Sequence, residues 1–143
     1  MKRFTQVVSL VLVLSMILAV PAFAAESSAR ASDYFGRISC YLVKTTNMQF
    51  QVWFDVTATK GMDELGTSVI TVQRSSDTVN WTDMQTYTKE VYSQMTATGT
   101  GNHSDYVTYT ATPGYYYRAY VEFYAKLGNG SATYSDYTSY IKM

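Results

Sequence analysis

Apolar and polar residues alternate in short runs along most of the chain, the period of half-buried strands rather than of helices. The clearest run covers residues 48–59. There Phe50, Val52, Phe54 and Val56 share one face, while Gln51, Trp53 and Asp55 share the other. The same pattern predicts strands at 34–44 (interrupted near Gly36), 68–74 with Ile70 and Val72 inward, 81–88, 103–112, 115–125 and 133–143. Glycine, asparagine, aspartate and serine punctuate these runs. Turns are predicted at 61–66, with one helical turn over Met62 to Leu65, and from Ser75 to Asp77. Further breaks are predicted as a loop at 98–102, a tight turn at Pro113-Gly114 and a hairpin turn at Gly128-Asn129-Gly130. Residues 88–95 read equally well as strand or short helix. The pattern is that of an all-β sandwich or barrel of about seven strands.

The N-terminus breaks this pattern. Lys2 and Arg3 precede a low-polarity run from Val7 to Val20, followed by Pro21 and then Ala22-Phe23-Ala24. A basic start, a short apolar run and an A-x-A exit predict a cleaved secretory signal over 1–24. The run is shorter than the roughly 20 residues that a membrane-spanning helix needs. The predicted organisation is a signal at 1–24, a flexible segment at 25–33 and one β-sandwich domain at 34–143. The product is expected outside the cell with no membrane span, and the compact signal is similar to those of Gram-positive bacteria.

Composition narrows the function classes. With 143 residues, 47% of them apolar, the chain has room for one domain and one core. Its 11 basic and 11 acidic residues balance, so no basic field marks a nucleic-acid binder. The lone Cys40 excludes an internal disulfide and a cysteine-based zinc site, and it is expected to pack as a small apolar residue or to bridge two chains. The lone His103 is followed by Ser104 and Asp105, but consecutive strand residues face opposite ways, so the run is not a triad; a solvated loop histidine is expected. Asp63 and Glu64 lack a visible oxygen shell for calcium and read as a solvated turn. No catalytic residue, metal site or cofactor is expected.

One segment has a familiar look. Pro113-Gly114-Tyr115-Tyr116-Tyr117-Arg118-Ala119-Tyr120-Val121 resembles the turn and penultimate strand of a fibronectin type III or related immunoglobulin-like module. The resemblance implies a single antiparallel immunoglobulin-like sandwich. It also implies that Tyr117 is a structural tyrosine corner, buried and bonded to backbone a few residues upstream. Ala119 stands where immunoglobulin domains place a cysteine, Trp53 falls on the face opposite Phe50, and prolines are few. Such sandwiches host many functions, so the family implies no activity.

If Tyr117, Ala119, Val121 and Phe123 point inward, then Tyr116, Arg118, Tyr120, Glu122 and Tyr124 point outward. Placing Tyr137 and Ile141 inward on the last strand puts Tyr134 and Tyr140 beside that row. These seven residues form the candidate binding surface, with tyrosine offering large contact area at low entropy cost. Cross-strand tyrosine pairing alone also accounts for such a face. The leading expectation is a secreted, non-catalytic module that binds an extracellular protein or glycan through this face. The alternative is an extracellular structural protein that self-associates through sheet edges or Cys40.

Overall fold

The computed structural model describes residues 30–143. The signal assigned to 1–24, and residues 25–29 of the segment after it, lie outside that range. The described chain begins with a single helical turn, α1 (Ala31–Tyr34), followed by β1 (Phe35–Thr46), β2 (Gln49–Ser75), β3 (Thr82–Thr88), β4 (Thr96–Thr110), β5 (Tyr116–Leu127), β6 (Gly130–Tyr137) and β7 (Ile141–Lys142). A 3₁₀ turn at Ser93–Met95 precedes β4. The fold is all-β, and every strand pairing is antiparallel. Residues 31–33, the end of the segment expected to be flexible, form part of α1 and make hydrogen bonds. The Arg30 and Asp33 backbone N–H groups bond reciprocally to Asp33 and Arg30, and Thr59 donates to the Asp33 carbonyl.

The dominant element is β2, one continuous strand of 27 residues. At about 3.3 Å per residue it would run roughly 90 Å if straight, far longer than a domain of this size, so it bends. Its first part pairs with β1 and with the end of β4; its second part pairs with β3, β5 and the start of β4. The result is two packed layers joined by shared strands. Between them Phe50, Val52, Phe54 and Val56 meet Ile70, Val72, Tyr117, Ala119, Val121 and Phe123, all fully buried.

Two predicted breaks are instead strand. Residues 61–66 belong to β2, and 98–102 belong to β4, where Met62 pairs with Thr100 and Glu64 with Thr98. The glycines there mark a bend and a close approach rather than a chain reversal. The register with β4 shifts between Thr57 and Met62, where β2 passes from one layer to the other. Gly66 lies between β4 and β5, opposite Thr96 and Tyr124. A Cβ there would overlap the Met95 carbonyl oxygen and stand 2.8 Å from Thr96 Cα. The predicted strand at 133–143 is also interrupted. β6 ends at Tyr137, and Thr138 turns inward, donating its N–H to the Ala119 carbonyl while its hydroxyl accepts the Ala119 N–H.

Tyr117 closes the core at the Pro113-Gly114 turn. Its ring contacts Phe50 and Tyr109 at centroid distances of 5.4 and 5.8 Å. Its hydroxyl accepts the Thr112 N–H at 2.9 Å and donates to the Thr112 carbonyl at 3.2 Å. The Tyr117 side chain thus ties the start of β5 to the loop before it. Replacing Tyr117 by Phe keeps the ring but removes the hydroxyl's bonds to the exposed Thr112 backbone, at an expected cost of about 0.5–1.5 kcal/mol. Replacement by Ala also opens a cavity and should cost about 3–5 kcal/mol. Urea titrations check both values, and a loss below about 1 kcal/mol for Tyr117→Ala would contradict this role.

Candidate functional site

β5 alternates strictly, so its odd-numbered residues from Tyr117 to Ala125 are buried while Tyr116, Arg118, Tyr120, Glu122 and Tyr124 line the outward face. This row divides into two parts. At the Tyr124 end, neighbouring groups of the chain occupy it. Lys89 Nζ lies 3.6 Å from the Tyr124 ring centroid and pairs with Glu64 at 3.1 Å. Ser68 donates to the Glu122 carboxylate at 2.5 Å. At the Tyr116 end the row is open and broadens into an aromatic cluster.

The cluster is built around Arg118. Its guanidinium lies between two rings, 4.3 Å from the Trp81 centroid and 4.4 Å from that of Tyr137. Arg118 Nε–H donates to Gln73 Oε1 at 2.8 Å, and Gln73 donates in turn to Asp83 Oδ1 at 2.7 Å. Tyr120 packs edge-on against Tyr137 at 5.4 Å, and Tyr116 against Tyr140 at 5.7 Å. Tyr140 also reaches Trp81, at 6.2 Å. Lys142 Nζ stands 5.3 Å from the Tyr116 ring. Mutual packing restricts these side chains, yet Tyr137 and Tyr140 remain 48% and 55% exposed.

Two tyrosines of the last strand sit differently from the sequence expectation. Tyr134 is directly opposite Phe123 and therefore on the core-facing side of the sheet, not beside Tyr116 and Tyr120. It stays exposed because β6 overhangs the layer edge, where it lines a groove with Phe35 and Ile38. Tyr137, expected inward, pairs with Tyr120 on the outer face. The cause is the break after Tyr137, which shifts the alternation assumed for one unbroken strand. Trp81, Gln73 and Lys142 also join the cluster without having been singled out. Gln73 was legible as the residue after inward Val72, whereas Trp81 depends on the loop before it.

That loop is held by its own hydrogen bonds. Thr78 adopts a positive φ of 63°, unfavourable for a β-branched residue. Asp77 compensates by accepting from the Val79 and Asn80 N–H groups, the Asn80 side chain and the Ser75 hydroxyl. Trp81 Nε1–H then donates to the Thr78 carbonyl at 3.2 Å, fixing the indole over Arg118.

A second aromatic row crosses the other layer. Trp53, on the face opposite Phe50, stacks between Tyr41 at 6.4 Å and Tyr106 at 4.6 Å, its directly opposed cross-strand neighbours. Its Nε1–H is held by Gln51 at 2.9 Å. These rings pack on one another across the strands, which suits cross-strand stabilisation of the sheet, while Tyr41 and Tyr106 stay 46% and 37% exposed.

The other singled-out groups are engaged within the fold. His103 is a half-buried strand residue rather than a solvated loop histidine; its ring lies 5.4 Å from Phe54 and its Nε2 is 2.8 Å from the Gln94 carbonyl oxygen. Ser104 donates to the Phe54 carbonyl and Asp105 accepts its neighbour's N–H, so the three do not converge. Asp63 accepts the Gly128 N–H, and Glu64 holds Lys89. Among the described residues no group of three or more His, Cys, Asp or Glu side chains gathers to hold a metal. Cys40 is half-buried, and burial, then the nearby Asp136 charge, pushes its thiol up to about 11. It is therefore a weak nucleophile at neutral pH, since thiolate is the reactive form.

The Asp77 hydrogen bonds, led by the Asn80 N–H, hold its carboxyl well below the ordinary value of 3.8. Its folded-state pKa is thus depressed, so its stabilisation is complete above the unfolded-state value and is lost as pH falls through the folded-state one. In NMR titration the Asp77 carboxyl carbon should respond below pH 3.8, with the Trp81 indole N–H signal moving in step. Asp77→Ala should displace that indole signal at neutral pH. A midpoint at or above 3.8, or an unmoved indole signal, would contradict the account.

No family model matches the chain, and neither a curated protein nor a solved structure shows significant similarity to it.

Proposed function

We propose that this chain is an exported, non-catalytic binding module with an immunoglobulin-like, fibronectin type III-like build, and that it recognises a protein partner through the open end of the β5 face. The observation that carries the reading is the cluster of Tyr116, Arg118, Tyr120, Tyr137, Tyr140 and Trp81, which packs against itself while leaving Tyr137 and Tyr140 about half exposed. Tyrosine, tryptophan and arginine carry much of the binding energy at protein interfaces. Side chains already ordered lose less entropy on binding. The edge-on packing, 89° between Tyr116 and Tyr140 and 62° between Tyr120 and Tyr137, favours a protein over a glycan. Sugar rings stack best on a flat aromatic platform, which two rings set at a steep angle to each other do not form together. Export rests on the basic, apolar and small-residue order of residues 1–24, and the Gram-positive source on its compactness.

Self-association is a second reading, favoured by one feature. β1 is 12 residues long, pairs only with β2 among the described strands and carries the exposed Tyr41 and Val43. Long open edges template further pairing. Concentration-dependent sedimentation without any partner would favour this reading.

The test of the main reading places a photoreactive phenylalanine analogue at position 140, identifies the crosslinked surface protein and measures its affinity in purified form. Tyr137→Ser and Tyr140→Ser should each weaken binding by about 2 kcal/mol or more. Both should change folding stability by about 0.5 kcal/mol. Unchanged affinity in both variants would overturn the reading. Crosslinking to cell-wall glycan alone would shift it to a carbohydrate.

A further inference from the structure

Arg118 is held in an unusual way for a surface cation. Among the described residues, Arg37 is paired with Asp55 and Lys89 with Glu64, but no carboxylate oxygen lies within 4.0 Å of an Arg118 nitrogen. Its guanidinium carbon is packed 4.3 and 4.4 Å from the Trp81 and Tyr137 ring centroids, and its Nε–H is taken by the neutral side-chain oxygen of Gln73. What remains is the in-plane edge of the two terminal nitrogens, which make no hydrogen bond among the described residues. A guanidinium packed against two rings and bonded at Nε is oriented before any ligand arrives. Its free edge has the fork geometry that matches a carboxylate through two parallel N–H···O bonds.

We propose that Arg118 reads an acidic side chain of the protein partner, its clamped guanidinium making a bidentate pair with a glutamate or aspartate carboxylate. The proposal rests on the reading of this face as a protein-binding surface and adds the chemistry of the segment it takes. Charge on the face agrees. Lys142 of β7, paired opposite Tyr116, adds a second cation beside the β5 row, and the acid of the cluster, Asp83, is already bonded to Gln73. The tyrosines around Arg118 would shield the new pair from water, which strengthens a charge-assisted bond. A phosphate could also use the fork, but its second charge would meet Asp83 across Gln73. A singly charged carboxylate fits better.

The test follows the Arg118 Nε–Hε and Trp81 indole signals by NMR. The full chain is titrated to millimolar concentrations with a blocked Gly-Glu-Gly-Glu-Gly peptide, its glutamine counterpart, a phosphoserine counterpart and inorganic phosphate. The glutamate peptide should shift both signals saturably, and binding should weaken several-fold when salt is raised. The glutamine peptide should leave them unmoved. Arg118→Gln should abolish the response, and Arg118→Lys, which keeps the charge but not the fork, should weaken it at least fivefold; unchanged thermal melting establishes that both variants fold. Absence of a saturable shift, equal shifts with glutamine, or undiminished binding by Arg118→Lys would each overturn the proposal. Tighter binding of the phosphoserine peptide or phosphate would overturn the carboxylate assignment. Failure here is separable from failure of the binding face. If Tyr137→Ser and Tyr140→Ser lose the partner while Arg118→Gln keeps it, the face stands and the carboxylate pair falls. If the peptide responds as expected and both tyrosine variants keep the partner, the pair stands and the wider face falls.

Discussion

The structure depends on one strand having to serve two layers. β2 pairs with β1, β3, β4 and β5, so four of the six backbone ladders among the described residues have β2 as one of their partners. Its two halves carry the two sides of the core, Phe50 to Val56 on one and Ile70 and Val72 on the other. The bend between them is where the geometry is least forgiving. At Gly66 the strand runs against the Met95 carbonyl with no room for a Cβ, while Thr96 and Tyr124 flank it. Because both layers hang from the same backbone, neither can slip in register without disturbing the other. A one-residue slip would turn every buried side chain outward.

That fixed register also sets the outward chemistry. Burying Tyr117, Ala119, Val121 and Phe123 forces Tyr116, Arg118, Tyr120, Glu122 and Tyr124 to the other face. Cross-strand partners then decide what each one does. Val69 and Ser68 lie beside Glu122, and Lys89 covers Tyr124, so that end is consumed internally. At the other end Gln73 stands beside Arg118 and Tyr137 beside Tyr120, and the Asp77-braced loop brings Trp81 over the guanidinium. The cation is held on three sides by neutral groups. Its remaining edge, with two terminal nitrogens that make no hydrogen bond among the described residues, is what the proposed carboxylate pair would use.

Local alternation carried far where a stretch of central strand runs without a register shift. The inward row from Phe50 to Val56, the reversal at Pro113-Gly114 and the parity of β5 were all legible, since each is a period-2 pattern ended by a turn residue. It failed where tertiary contacts override local signals. Gly61 and Gly66 look like turn residues in sequence, yet they sit within a strand because glycine also permits bending and close approach. The Thr138 hydroxyl, by capturing the Ala119 N–H, breaks the last strand and exchanges the expected places of Tyr134 and Tyr137. No short-range pattern announces a bond between residues 19 apart. The joining of Trp81 to Arg118 was equally hidden, because it depends on a strained Thr78 and four acceptor bonds at Asp77.

Native-state hydrogen exchange tests the shared strand most directly. If β2 unites the layers, backbone amides in its first half, such as Val52 and Phe54, and in its second, such as Ile70 and Val72, open together. Those amides that pair within the ladders should then exchange with a single free energy equal to that of global unfolding, with the same denaturant dependence. Two separate free energies, with one half exchanging through a smaller opening while the other stays protected, would contradict the account.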